Sequence, residues 1–295
     1  MSKKKMLSLA LLVMILWGSL FPVVKLGYQA YDIITTGDIL YFAGVRFTLC
    51  GAVICLYALF KDKQSFQPAK SSLLSILASG VFAIILHYSF TYLGLSLTDS
   101  SKTAILKQIG ALFYICFSFL FFKEDKLTVR KFIAVIMGLA GVISINANAD
   151  GISFNIGDVF IIAASFCTVF SNIIIKKVFA TVKPITSTGI SQLFGGVILL
   201  FIGKVCGGNM YFAWEKSLVM IYICLASIIS YCVWFTVVKN GNLSNLFIIK
   251  FAEPMFACVF GALILKEDIF KIQYLAAFLL IAGGIYISNK KGKAE

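Results

Sequence analysis

Five side chains able to carry charge or move a proton stand inside long apolar stretches of this chain: Arg46, His87, Lys107, Lys250 and Glu253. In a membrane helix each would cost ~2.5–3.5 kcal/mol as an isolated charge at the bilayer centre, so each needs a partner, a wet cavity or an escape route. Lys250 and Glu253 are three residues apart and share a helical face. The pair is either an internal salt bridge or a site where Glu253 exchanges protons, and Pro254 after it loosens the helix locally. Lys107 and Lys250 read as cations near the two mouths of a central cavity, or as lysines whose stems snorkel to the interface. Arg46 keeps its charge when buried and serves as a structural anchor or holds a solute carboxylate. His87 is a hydrogen-bonded neutral imidazole or a proton relay. With Tyr88, Tyr231 and Trp234 it forms a mid-helix aromatic wall, and Trp17 and Asn172 are further cavity candidates. Arg46, Lys107 and Lys250 outnumber Glu253 by two charges, which suits a solute bearing a carboxylate or other anionic group.

The elements that must position these residues are membrane helices. Of the 295 residues 60% are hydrophobic and 13% charged, with a mean hydropathy of +0.95, against roughly 45–50% and 25% in soluble domains. A water-soluble enzyme is excluded. Apolar runs cover 6–24, 39–60, 72–94, 103–122, 132–146, 158–175, 185–202, 217–238, 246–265 and 272–288. Ten spans of about 20 residues leave only short connections, and the ten-residue alternating segments of a β-barrel are absent. The first run, after Lys3-Lys4-Lys5, has the outline of a signal peptide. It is long for one and lacks a small-x-small site before Pro22 and Lys25, so it is retained as a helix. Seven of eight cysteines lie in apolar runs, and one histidine without a CxxC pair supplies no usual metal set. No metal or cofactor is expected. Neither a GxxxxGK[ST] phosphate loop nor an HExxH or GxSxG motif occurs, so ATP-driven transport and intramembrane hydrolysis find no machinery. No filter-like carbonyl sequence suggests a channel. The net charge of +13 clusters at the ends of the runs, where it faces anionic lipid rather than nucleic acid. With the N-terminus inside, inner segments hold seventeen lysines and arginines and outer segments six. Both termini are therefore expected in the cytoplasm.

Shifting the chain by 143 residues lays Ile105–Asp125 on Ile248–Asp268. Lys107 then meets Lys250, Tyr88 meets Tyr231, Ala134 meets Ala277, Gly141 meets Gly284, and Lys123-Glu124-Asp125 meets Lys266-Glu267-Asp268. Each half, 1–146 and 147–295, holds five runs, and an odd number inverts the second half in the bilayer. The expected fold is all-α and integral to the membrane, with ten transmembrane helices in two inverted five-helix repeats, an architecture of secondary transporters. Ala134, Gly138 and Gly283-Gly284 suit close helix packing or a dimer face.

These features carry a resemblance. Trp17-Gly18-Ser19 with Lys25, Arg46-Phe47, Gly157-Asp158, Glu253-Pro254, Lys266-Glu267 and Gly283-Gly284 are similar to the ten-helix EamA-type members of the drug/metabolite transporter superfamily. The likeness covers essentially the whole chain. It departs from the family at Ala111, where helix four usually carries proline, and at Lys107. It implies a multi-pass protein of the cell membrane, monomer or homodimer, of the bacterial inner-membrane kind. It further implies a carrier, often an exporter, of amino acids or other small organic metabolites. Proton coupling through Glu253 joins that expectation, with proton-coupled multidrug efflux and a non-transporting membrane scaffold as the alternatives.

Overall fold

The computed structural model describes residues 3–61, 70–117, 120–121, 128–148, 151–152, 154–178, 182–211, 214–241, 246–247, 249–250, 252–268 and 272–289. Helices α1 (Lys3–Ala30) and α2 (Thr36–Lys61) are followed by α3 (Lys70–Gly80), which runs through a π-helical turn (Val81–Leu86) into α4 (His87–Leu97). Next come α5 (Ser100–Leu106), α6 (Ile109–Phe117) and α7 (Val129–Asn146). The minimal strand pair Ala147–Asn148 and Gly151–Ile152 leads into α8 (Ile156–Val178). Then follow α9 (Pro184–Val205), α10 (Ser217–Asn240), α11 (Ala252–Leu265) and α12 (Ile272–Asn289).

Six stretches are long and apolar enough to cross a bilayer: Lys4–Ala30, Thr36–Lys61, Ser72–Leu97, Ile156–Lys176, Pro184–Val205 and Trp214–Asn240. Phe132–Gly141, Ala252–Leu265 and Ile272–Gly284 are shorter apolar helices. With the α5–α6 pair, this all-helical bundle accommodates ten passages. Large apolar side chains such as Leu56, Ile136, Phe201 and Leu225 point outward, as lipid-facing helices require.

Helix ends are set locally. Before α2, Thr35 Oγ1 accepts from the Asp38 amide at 3.1 Å while Asp38 Oδ2 accepts from the Thr35 amide at 2.9 Å. Asn155 and Asp158 repeat this reciprocal cap before α8, at 2.9 and 3.0 Å. Asp158 also receives Lys102 of α5 at 2.9 Å.

Glycine sets the closest packing. Gly37, Gly44 and Gly51 recur every seven residues on α2, and Gly189, Gly196 and Gly203 do so on α9. A Cβ at Gly44 or Gly51 would overlap the backbone of Leu200 or Leu193, and one at Gly196 or Gly203 would overlap Thr48 or Tyr41. The two helices therefore run backbone to backbone. Gly284 of α12 lies against the Ala134 carbonyl of α7, and Gly138 lies against Leu112. The small residues expected to serve helix packing do so within the chain.

Two expectations are corrected. The first helix does not stop at residue 24 but continues to Ala30, with Pro22 and Lys25 inside it; neighbouring helices support a proline within a membrane span. The fourth and ninth runs, read as continuous, are interrupted at Lys107–Gln108 and at Lys250. Charged residues within an apolar run mark these breaks, but hydropathy alone is blind to backbone geometry.

Candidate functional site

A cavity that is partly open to the exterior lies among α1, α2, α4, α5, α8, α10 and α11. All ten candidate residues line it: Trp17, Arg46, His87, Tyr88, Lys107, Asn172, Tyr231, Trp234, Lys250 and Glu253. Residues from both halves of the chain thus contribute to one chamber.

Trp17 reaches the cavity because its neighbour is glycine. A Cβ at Gly18 would sit 2.6 Å from Phe256 Cβ and 3.0 Å from the Glu253 carbonyl oxygen, so α1 and α11 cross at this point. The crossing lays the Trp17 ring 5.5 Å from Lys250 Nζ and 5.1 Å from the Trp234 ring. Trp234 Nε1 donates to Asn172 Oδ1 at 3.1 Å, tying α10 to α8. Tyr231 donates to Tyr88 at 2.8 Å. The aromatic wall is therefore a connected set rather than separate residues.

Lys107 and Lys250 do not stand at opposite mouths. Both lie 3.9 Å from the Glu253 carboxylate, Lys107 from Oε1 and Lys250 from Oε2. The mouth-to-mouth placement counted residues along straight helices, whereas both spans break at these lysines and turn them toward the centre. Lys107 also lies 5.0 Å from the Phe21 ring, a favourable place for a cation. The alternative of lysine ammonium groups escaping to the interface does not describe this geometry.

Arg46 is 1% exposed. Nε and Nη2 donate to Ser227 Oγ at 2.9 and 2.7 Å, and Nη1 donates to Tyr92 Oη. Phe47 and Tyr88 pack around the guanidinium, with ring centroids 4.7 and 5.3 Å from Cζ. Its positive charge thus meets hydroxyls and π-faces. His87 Nδ1 lies 2.9 Å from the Ala164 carbonyl oxygen and 2.9 Å from Thr168 Oγ1. A carbonyl only accepts, so Nδ1 carries the hydrogen.

Several buried polar atoms of the cavity make no hydrogen bond among the described residues: Trp17 Nε1, Thr91 Oγ1 and Glu253 Oε2. Groups of this kind bind solute or water. Sequence reasoning missed Tyr92, Thr168 and Ser171. Their signal was available: Tyr92 follows Tyr88 at i+4, and Thr168, Ser171 and Asn172 share one face of α8. Ser227, the main partner of Arg46, carried the same signal, four residues before Tyr231 on α10.

A second polar cluster lies beyond the end of α11. Glu267 accepts from the Ser100 and Ser101 amides at 2.9 and 3.2 Å and from their hydroxyls at 2.6 and 2.7 Å. Lys25 approaches it at 3.8 Å. Burial works against ionisation, but the hydrogen bonds prevail and hold the Glu267 carboxyl below the usual carboxylate range.

A helical bundle with an apolar outer surface and a buried, charged, aromatic-lined chamber is the build of a multi-pass membrane protein. The chain belongs to the EamA-like transporter family, which matches residues 4–147 and again 155–289. It is 23% identical to an uncharacterized transporter of Archaeoglobus fulgidus over 99% of each chain. It is 27% identical to the uncharacterized transporter YvbV of Bacillus subtilis, over 98% of this chain and 92% of that one. The uncharacterized inner membrane transporter YedA of Escherichia coli K12 is 23% identical over 94% and 88%. A solved crystal structure shares the fold at a TM-score of 0.71 and 15% identity, covering 98% of this chain and 97% of that one.

Proposed function

We propose that this protein is a secondary carrier that exports small carboxylate-bearing metabolites, amino acids or their relatives, across a bacterial inner membrane. The observation that carries the reading is the cavity's charge. Arg46, Lys107 and Lys250 line it together with Glu253, leaving two positive charges in excess while His87 is neutral. Such a chamber favours an anionic group and disfavours a cationic drug, which would call for buried acids. The open polar atoms of Trp17 and Thr91 are available to orient the solute.

Alternating access fits the way the halves meet. The family matches the chain twice, and Tyr88 bonds Tyr231, 143 residues away. We take residues 1–146 and 147–295 as inverted repeats with both termini in the cytoplasm, and Glu253 as the proton-coupling carboxylate. The name of the E. coli relative supports the inner membrane.

The test is counterflow in proteoliposomes with a panel of amino acids and simple carboxylates. Saturable counterflow is expected for at least one carboxylate and none for its amide, with Lys107→Ala and Lys250→Ala each lowering the rate by about tenfold or more. Wild-type rates in both variants would defeat the charge argument. Flux without counterflow would indicate a channel.

A further inference from the structure

Lys107 and Lys250 hold equivalent positions 143 residues apart, yet they face a single carboxylate. The same shift sets Gly110 opposite Glu253. A Cβ at Gly110 would overlap the Ser165 carbonyl oxygen, so that place holds no second acid. Two ammonium groups therefore share one counter-ion. Charge-assisted N–H···O contacts close to about 2.7–2.9 Å when they form hydrogen bonds; these two stay at 3.9 Å. Glu253 is 1% exposed, and its Oε2 accepts no hydrogen bond among the described residues. Both pairs open onto the cavity, so a carboxylate entering it meets the lysines where Glu253 now sits.

We propose that Glu253 is a tethered stand-in for the solute: the arriving carboxylate takes its place between Lys107 and Lys250, and the displaced Glu253 takes up one proton. This rests on the carboxylate-carrier reading and adds its coupling. The proton follows from the lost counter-ions. Lys107, Lys250 and ionised Glu253 together carry one positive charge. Once the arriving carboxylate occupies both lysines, the displaced Glu253 is a buried carboxylate without its cationic partners, and burial of an unpaired carboxylate favours its neutral form. With Glu253 neutral and the solute ionised, the cluster again carries one positive charge. Empty and loaded forms then cross between states with equal charge in the cluster, and each solute carboxylate travels with one proton. Export by this route runs on the outward solute gradient and takes protons out with it.

The titratable groups around Glu253 come from every side of the chamber. Lys250 lies on its own span, Lys107 between α5 and α6, His87 and Tyr88 on α4, Tyr231 on α10 and Arg46 on α2. α1 packs against α11 with Trp17 and Phe21 at the cluster, and its Lys25 is engaged by Glu267. Of these groups only Glu253 is an acid with two cationic partners facing the cavity.

The experiment is titration calorimetry of the purified full-length protein with benzoate, pyruvate and L-leucine, and with benzamide as the uncharged control. Each titration is run in two buffers of different ionisation enthalpy, so that protons taken up per ligand are counted directly. Wild type is expected to take up close to one proton per bound carboxylate, with affinity weakening as pH rises. Glu253→Gln should bind the same carboxylate about tenfold tighter, because the internal competitor is gone, and take up no proton. Glu253→Asp keeps a carboxylate and should keep the proton. Wild-type binding without proton uptake overturns the displacement while leaving the carboxylate reading intact. So does unchanged affinity in Lys107→Gln and Lys250→Gln, which would place the carboxylate at Arg46. Binding of benzamide alone, or of none of the three carboxylates, overturns the carboxylate reading and the displacement with it.

Discussion

Arg46 shows how a single buried charge is tolerated without an acid beside it. Its three hydrogen bonds go to two hydroxyls, and aromatic faces surround the rest of the group. Lysine offers the charge but not the planar fork. Arg46→Lys should therefore lower the stability of the bundle, since hydrogen bonds from a charged group are worth ~1.5–3 kcal/mol, while the variant still inserts; the unfolding temperature of the purified variant measures it. An unchanged unfolding temperature would mean that the charge suffices without the fork. The candidate residues themselves were legible one by one, because polar side chains stand out against an apolar background. Their partners were not. Nothing along the chain pairs Arg46 with Ser227 or brings Lys107 to Glu253.

The elements have distinct tasks. The α2–α9 seam, built on glycines at seven-residue spacing, leaves no room for side chains between the helices. Gly44→Leu or Gly196→Leu should each cost about 1–3 kcal/mol or more, seen as a lower unfolding temperature and loss of monodispersity in detergent. A substitution tolerated without either change would show that the seam can open. By contrast, the fourth and ninth spans are interrupted at the lysines that share Glu253, as in transporters whose binding sites use broken helices.

The clasp of Glu267 on Ser100 and Ser101 ties the end of α11 to the start of α5. Lys266, just before it, adopts φ 56°, a left-handed conformation uncommon outside glycine, which turns the chain toward α5. Because the folded-state carboxyl of Glu267 is depressed, its stabilising contribution is complete above the unfolded value. It is lost as pH falls through the folded one. The gap in unfolding temperature between wild type and Glu267→Gln should be constant near neutrality and shrink below about pH 4. A gap independent of pH would deny the clasp its ionic character.

At the scale of the whole molecule, the distribution of basic residues predicts the orientation of the bundle. Cys206 is exposed just after α9, on the face predicted to be outside. A membrane-impermeant maleimide should label it in intact cells, and a fluorescent protein fused after Glu295 should fold and fluoresce in the cytoplasm. Protection of Cys206 until the cells are lysed would reverse the assigned orientation.

By itself the sequence determined the membrane environment, the number of apolar runs, the family and the ten polar and aromatic candidates that line the cavity. All of these follow from hydropathy, charge and repetition, which are properties of position along a chain. Tertiary structure alone decided that the two repeat-related lysines share one carboxylate, that the fourth and ninth spans break there, and that Tyr88 meets Tyr231. Contacts between residues more than a hundred positions apart depend on how helices cross. Those crossings are fixed by close approaches such as Gly18 on α11 and the glycine seam; the seven-residue glycine spacing can be read along each helix, but not which helix it meets.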